Sequence, residues 1–186
     1  NWAVKTEAPL SAGPGAGEGV VVLGTSNAEV LALEATDGSK RWVAAVSSEV
    51  LAVPQIDLGR IIVQTVDGNV TALDVETGAQ LWIFDRSVPV LTLRGTSTPA
   101  VQHGVVVAGF ANGKLVALSA DKGFVGWETN VAIPQGRSEL ERIVDIDGDP
   151  VIVGTAVYVT TYQGRIAVSL VVVLVIPALA ARRFNR

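Results

Sequence analysis

Val20–Trp42 reads VVVLGTSNAEVLALEATDGSKRW, Ile61–Trp82 reads IIVQTVDGNVTALDVETGAQLW, and Val105–Trp127 reads VVVAGFANGKLVALSADKGFVGW. These are one text written three times. Pro14, Pro54 and Pro99 are each followed 28 residues later by the closing tryptophan, Trp42, Trp82 or Trp127. Each copy holds two apolar runs separated by a turn: Val20–Leu23 and Val30–Leu33 around Ser26-Asn27-Ala28-Glu29, Ile61–Val63 and Val70–Leu73 around Asp67-Gly68-Asn69, Val105–Val107 and Lys114–Leu118 around Asn112-Gly113. Asn-Gly and Asp-Gly supply the positive φ angles that tight hairpins need. A second turn follows at Asp37-Gly38, Thr77-Gly78 and Lys122-Gly123, after which a third strand carries the tryptophan. The proline and the residues before it give a fourth, irregular strand, where a missing N–H is tolerable at a sheet edge.

A period of roughly 40 to 50 residues with several strands per unit is the signature of a β-propeller. The expected fold is therefore all-β: a β-propeller of four-stranded antiparallel blades. It is a partial propeller, with about three complete blades around 14–42, 54–82 and 99–127 and the start of another at 150–167. A lone blade cannot bury both faces, so neighbours must stack. One large flat side chain per blade suits the layer between sheets, so the tryptophans read as packing residues rather than ligand contacts. Ala32-Leu33, Ala72-Leu73 and Ala117-Leu118 read as the small and large core pair of the central strands.

The fourth unit starts at Pro150 and keeps the pattern through Val157-Tyr158-Val159 and Gln163-Gly164. The register then calls for Ala-Leu at 168 and 169, Gly at 174 and Trp at 178, where the chain has Val168, Ser169, Leu174 and Ala178. The propeller is accordingly expected over 1–167, with 168–186 a departing tail, apolar to Ala181 and then basic. Its apolar run is about 14 residues and contains Pro177, against the roughly 20 that a spanning helix needs. A buried strand or a non-native reading frame accounts for it better than a membrane segment does. At the other end, Trp2 lies 40 residues before Trp42, the same step as Trp42 to Trp82. The chain thus reads as an internal piece of a longer protein, with any signal peptide or lipid-attachment site upstream.

Composition narrows the function classes. A net charge of −4 and a pI near 5.0 argue against a nucleic-acid footprint. The chain has no cysteine, hence no disulfide framework, thiolate metal site or cysteine nucleophile. His103, the one histidine, stands beside Gly104 in a turn and reads as a surface residue rather than a base. No Ser/His/Asp grouping, phosphate-binding loop or metal-ligand cluster is present.

The Pro-to-Trp core keeps its length, whereas the Trp-to-Pro connection does not. Trp2 to Pro14 and Trp42 to Pro54 are each 12 residues, Trp82 to Pro99 is 17, and Trp127 to Pro150 is 23. The two insertions fall in the same connection of consecutive repeats, so they share one face, and such insertions often form a binding surface. The first carries Leu91, Leu93 and Arg94. From the residues alone, two core leucines and a solvated arginine compete with an anchor-and-rim recognition loop. The second carries Asp145, Asp147 and Asp149. A calcium loop wants Gly and Glu where Pro150 and Ala156 stand, so an exposed acidic loop facing a basic partner is the better reading.

The repeat Ala-Leu-x-x-x-x-Gly-x-x-x-Trp resembles the tryptophan-docking repeat of pyrroloquinoline-quinone dehydrogenases and their non-enzymatic relatives. Within that superfamily, Val90-Leu91-Thr92-Leu93-Arg94-Gly95 with Thr98-Pro99-Ala100, and Glu139-x-x-Arg142-x-x-Asp145-x-Asp147-x-x-Pro150, resemble the BamB family. That resemblance implies an eight-bladed, non-catalytic propeller lipoprotein without a cofactor, on the periplasmic face of the outer membrane of a Gram-negative bacterium. The implied partner is the periplasmic region of BamA, the barrel-forming subunit of the outer-membrane assembly machinery, with unfolded outer-membrane proteins as further clients. The implied docking residues are Leu91, Leu93, Arg94, Asp145 and Asp147. The membrane would be reached only through a lipid anchor that this chain lacks. The alternative is a fragment of a quinone-dependent dehydrogenase, whose cofactor calcium holds in the propeller axis.

Overall fold

The computed structural model describes residues 1–85, 97–135 and 143–170. Their strands form four antiparallel meanders. The first sheet is β1 (Gly15–Gly17), β2 (Val20–Gly24), β3 (Glu29–Glu34) and β4 (Lys40–Ala45), in that order. The second is β5 (Gln55–Asp57), β6 (Arg60–Gln64), β7 (Val70–Asp74) and β8 (Gln80–Phe84). The third is β9 (Ala100–Gln102), β10 (Val105–Gly109), β11 (Lys114–Ser119) and β12 (Val125–Asn130). The fourth has three strands, β13 (Val151–Val153), β14 (Ala156–Thr160) and β15 (Ile166–Leu170). Three four-stranded blades and the opening strands of a fourth are what the repeat predicted.

The turns explain the hairpins. Glu18-Gly19, Leu58-Gly59 and His103-Gly104 all have positive φ, the two-residue geometry whose twist matches the flanking strands. The next hairpin turn has one left-handed residue, supplied by Gly68, Gly113 and Gly164, but by Ala28 at φ 59 in the first sheet. One detail differs from expectation. Regular pairing starts at the residue after each proline, Gly15, Gln55, Ala100 or Val151, and not with the residues before it. Proline can open a strand but cannot donate to its ladder.

Packing runs between sheets. Val20, Val22, Val30 and Ala32 of the first sheet meet Ile61, Val63 and Leu73 of the second. Ile62, Val70, Ala72 and Trp82 meet Val106, Ala108, Val116 and Leu118 of the third. Val107, Leu115 and Ala117 meet Val157 and Val159 of the fourth. The central strands of the second and third sheets thus bury both faces, which is why they read as continuous apolar runs. Ala32-Leu33, Ala72-Leu73 and Ala117-Leu118 are all buried, and each pair marks a bulge in its ladder.

The tryptophans are equivalent, facing Ala32, Ala72 and Ala117 across the ladder. The Trp42 Nε1 donates to Val75 O at 3.0 Å and the Trp82 Nε1 to Ala120 O at 2.9 Å, each acceptor directly following a central strand of the next sheet. Arg41 adds a second tie, bonding Glu34 of its own sheet at 2.6 Å and Glu76 of the next at 3.0 Å. The residue pattern departs at Val168, yet β15 keeps its ladder with β14 through Leu170. The tail beyond it, including Leu174, Pro177 and Ala178, lies outside the described residues. Among the described residues, no helix is long and apolar enough to cross a membrane.

Candidate docking rim

The connection between the third and fourth sheets is longer than that between the first and second, but it ends in the same way. In the connection between the first two sheets, Val50 N donates to Thr25 O at 3.4 Å and Val66 N to Glu49 O at 3.0 Å. Between the third and fourth sheets, Ile146 N donates to Phe110 O at 3.3 Å and Tyr162 N to Asp145 O at 3.0 Å. Glu49 and Asp145 both stand five residues before a proline, as Arg94 does before Pro99. The extra residues of the last connection therefore sit upstream. The chain returns to register at Ile143–Ile146, which fills the seam between two sheets.

That return corrects one expectation. The acidic loop was expected to be exposed. Asp147 and Asp149 are exposed, but Asp145 is 1% exposed. The cause is the register: residues 143–146 enter the groove that Val50 fills in the shorter connection, and all four are buried. Ile146 lies over Gly109, where a Cβ would come within 2.4 Å of it, as Val50 lies over Gly24. Gln163 Nε2 donates to Ile143 O at 2.8 Å and pins the start of the segment to the fourth sheet.

The rim gathers residues from both connections. Thr98 N donates to Asp149 Oδ1 at 2.6 Å. Ser97 Oγ and Ile146 both stand within reach of a Cβ placed on Gly109, at 2.9 and 2.4 Å. The end of the first insertion thus touches the end of the second. Of the residues singled out in the sequence, Asp147 is exposed at this rim and Asp145 is buried beneath it. Leu91, Leu93 and Arg94 lie outside the described residues. Asp149 and Thr98 were named in the acidic cluster and the Thr98-Pro99-Ala100 motif but not among the docking residues. The available signal was that both immediately precede the opening proline of a repeat. Burial of its surroundings pushes the Asp147 carboxyl above the usual range although the residue reaches solvent, because desolvation disfavours the charged form.

His103 is exposed in the turn between β9 and β10 at φ 53. Toward the axis, the opening strands β5, β9 and β13 line a cleft of about 510 Å³ that includes Gln55, Gln102 and Asp149. Among the described residues, no group of three or more His, Cys, Asp or Glu side chains is placed to hold a metal ion.

Comparison with known proteins places this architecture. Residues 1–178 match the family model described as outer membrane protein assembly factor BamB. The outer membrane protein assembly factor BamB of Xanthomonas campestris is 51% identical over 156 residues, 84% of this chain and 38% of that protein. The chain spans less than half the length of the curated relatives it matches. The crystal structure of BamB from Moraxella catarrhalis superposes with a TM-score of 0.83 at 32% identity, over 89% of this chain and 51% of the other. The quinohemoprotein alcohol dehydrogenase of Comamonas testosteroni superposes with a TM-score of 0.64 at 18% identity, over 86% of this chain and 30% of that one. That likeness shows the fold alone. On its repeat, its stacked sheets and its match over nearly the whole chain, the protein belongs to the BamB family of outer membrane protein assembly factors.

Proposed function

We propose that the rim built by the two long connections is a protein-docking surface, and that the chain acts as a non-catalytic scaffold on the periplasmic domains of BamA. The observation that carries this is the meeting of the two insertions, Thr98 on Asp149 and Ser97 beside Ile146. Lengthened connections carried by a stack of sheets are common recognition elements. Leu91 and Leu93 supply apolar anchors. Counted back from the opening proline, Arg94 holds the sequence position that Asp145 holds one repeat on. Arg94 forms a charge-assisted hydrogen bond to the partner or to an aspartate that positions it. The location that follows is the periplasmic face of the outer membrane, with unfolded barrel proteins as clients of the complex.

The test uses the 186-residue chain and the immobilised periplasmic domains of BamA. Leu91→Ala, Leu93→Ala and Arg94→Ala are expected to weaken capture while thermal melting stays nearly unchanged. Normal capture by leucine variants that melt at lower temperature would return both leucines to the core and overturn the reading. Dye reduction with an alcohol or sugar after quinone and calcium are supplied would favour the dehydrogenase instead.

A further inference from the structure

Thr25, Thr65, Phe110 and Thr161 each follow the second strand of their sheet, and each backbone amide donates to the carbonyl four residues on. In three sheets the residue is threonine, and its hydroxyl bonds within its own hairpin. Thr25 Oγ1 accepts from Glu29 N at 3.2 Å, Thr65 Oγ1 donates to Asp67 Oδ1, and Thr161 Oγ1 accepts from Arg165 N at 3.3 Å. The third sheet gives this bond up. Phe110 is 3% exposed, and its ring meets Phe84 edge-on, with centroids 6.0 Å apart and planes at 61°.

Phe84 is out of pattern too. Ala44, Phe84 and Thr129 hold one ladder position, opposite Val30, Val70 and Leu115. Both members of the pair thus depart from the repeat, and they do so at one seam. That seam is where the first insertion leaves the stack, since Phe84 ends β8. Phe110 also serves the second insertion, because its carbonyl accepts from Ile146 N at 3.3 Å.

The other end of the first insertion is held by Asp149. Gly13, Val53, Thr98 and Asp149 each precede the opening proline of a repeat. Between the first two the neighbour is apolar: a Cβ on Gly13 would lie 3.2 Å from Val53 Cγ2. Between the last two it is the bond from Thr98 N to Asp149 Oδ1 at 2.6 Å. A carboxylate acceptor makes such a bond stronger than a neutral one.

We infer that Phe84, Phe110 and Asp149 are positioning residues for docking, which act through the ends of the first insertion and not by touching the partner. The inference rests on the docking reading above and extends it. Phe84 and Phe110 fix where the insertion leaves the stack, and Asp149 fixes where it returns. A segment held at both ends has less freedom to lose on binding. The edge-to-face pair adds to the burial of its two rings.

The repeat itself supplies the variants. Phe110→Thr installs the hydroxyl that the other hairpins carry, and Phe84→Ala matches Ala44. Asp149→Asn keeps an acceptor for Thr98 N, whereas Asp149→Ala removes it. Capture by the immobilised periplasmic domains of BamA and trypsin cleavage after Arg94 are measured on the same 186-residue chains, below their melting temperatures. Phe84→Ala, Phe110→Thr and Asp149→Ala are each expected to weaken capture about fivefold and to speed the cleavage. Asp149→Asn should keep both near the parent, and Leu91→Ala should weaken capture without changing cleavage. Unchanged capture and cleavage in the three variants, with Leu91→Ala still defective, overturns the inference and leaves the docking surface standing. Faster cleavage with normal capture throughout, Leu91→Ala included, removes the docking surface and the positioning role with it. Capture lost equally in Asp149→Asn and Asp149→Ala puts the Asp149 charge against the partner and overturns its role here. Asp149 is exposed, so its two variants decide the matter if the phenylalanine variants lose the fold.

Discussion

Gly78 and Trp42 compete for the same space: a Cβ on Gly78 would stand 2.6 Å from the Trp42 indole, on a neighbouring sheet. Gly38 with Trp2 and Gly123 with Trp82 repeat the relationship. The invariant Gly-x-x-x-Trp of the repeat therefore joins two residues that never meet each other. The glycine receives the tryptophan of the preceding unit, and the tryptophan goes to the glycine of the following one.

Gly78→Ala combines this clash with a left-handed backbone, φ 71. Gly104 has nearly the same φ, 76, with nothing within 4 Å of a Cβ. Gly104→Ala is expected to cost about 1 kcal/mol, the backbone term alone. Gly78→Ala should cost about 1–3 kcal/mol more, the overpacking term. Denaturant melts of the two variants isolate the socket. Equal losses would show that the indole simply moves aside.

Ala28 carries the opposite strain. It holds φ 59 where Gly68, Gly113 and Gly164 stand in the equivalent turns. Ala28→Gly is expected to stabilise the protein by about 0.5–1 kcal/mol, the left-handed penalty less the extra freedom of glycine in the unfolded chain. A lower melting temperature would refute it.

The sheet count, the turns and the alanine–leucine core were legible because every copy of the repeat states them in the same register. The docking of Trp42 on Gly78 was not, because it joins successive copies and no spacing within one copy reveals it. The exposure of the acidic loop misled for a related reason. Composition made Asp145-x-Asp147-x-Asp149 look solvated, but the stack buries residues 143–146 as it buries Val50, and only Asp147 and Asp149 of the three acids stay exposed. Counting five residues back from Pro54 and Pro150 would have paired Asp145 with Glu49 and signalled a structured position.

Trp127 differs from Trp42 and Trp82 among the described residues. Its Nε1 is buried with no acceptor among the described residues. The matching socket position is Leu174 rather than glycine. Trp82→Phe removes a bond to Ala120 O at 2.9 Å and leaves that buried carbonyl unpaired, a loss of about 1–3 kcal/mol. Among the described residues Trp127→Phe removes no such bond, and it is expected to cost clearly less. Parallel melting curves decide, and equal losses would mean that Trp127 does find an acceptor.

Acid should loosen the sockets. Asp74 Oδ1 accepts from Thr77 Oγ1 at 2.7 Å and Thr77 N at 2.8 Å in the turn that carries Gly78. The Thr77 hydroxyl and then its amide hold the Asp74 carboxyl below the usual range, and the Ser39 amide does the same for Asp37 beside Gly38. A lowered folded pKa means that the stabilisation is complete above the unfolded value, about 4, and is lost as pH falls through the folded one. Asp74→Asn is thus expected to lower the melting temperature at neutral pH, with the gap to the parent closing in acid. A gap that stays constant with pH would remove the charge from the explanation.

Asp147 should behave in the reverse sense. Burial raises its pKa, so the fold favours the protonated form. The penalty is absent below the unfolded value and grows as pH rises through the folded one. Asp147→Asn keeps the shape and discards the charge. It is expected to raise the melting temperature at neutral pH and to match the parent in acid, where Asp147 is already protonated. If the exposed carboxylate is kept for a basic partner, the same variant must capture the BamA periplasmic domains less well even though it is more stable. A stabilised variant with undiminished capture would remove Asp147 from the docking surface. A variant destabilised at neutral pH would show that its charge serves the rim itself.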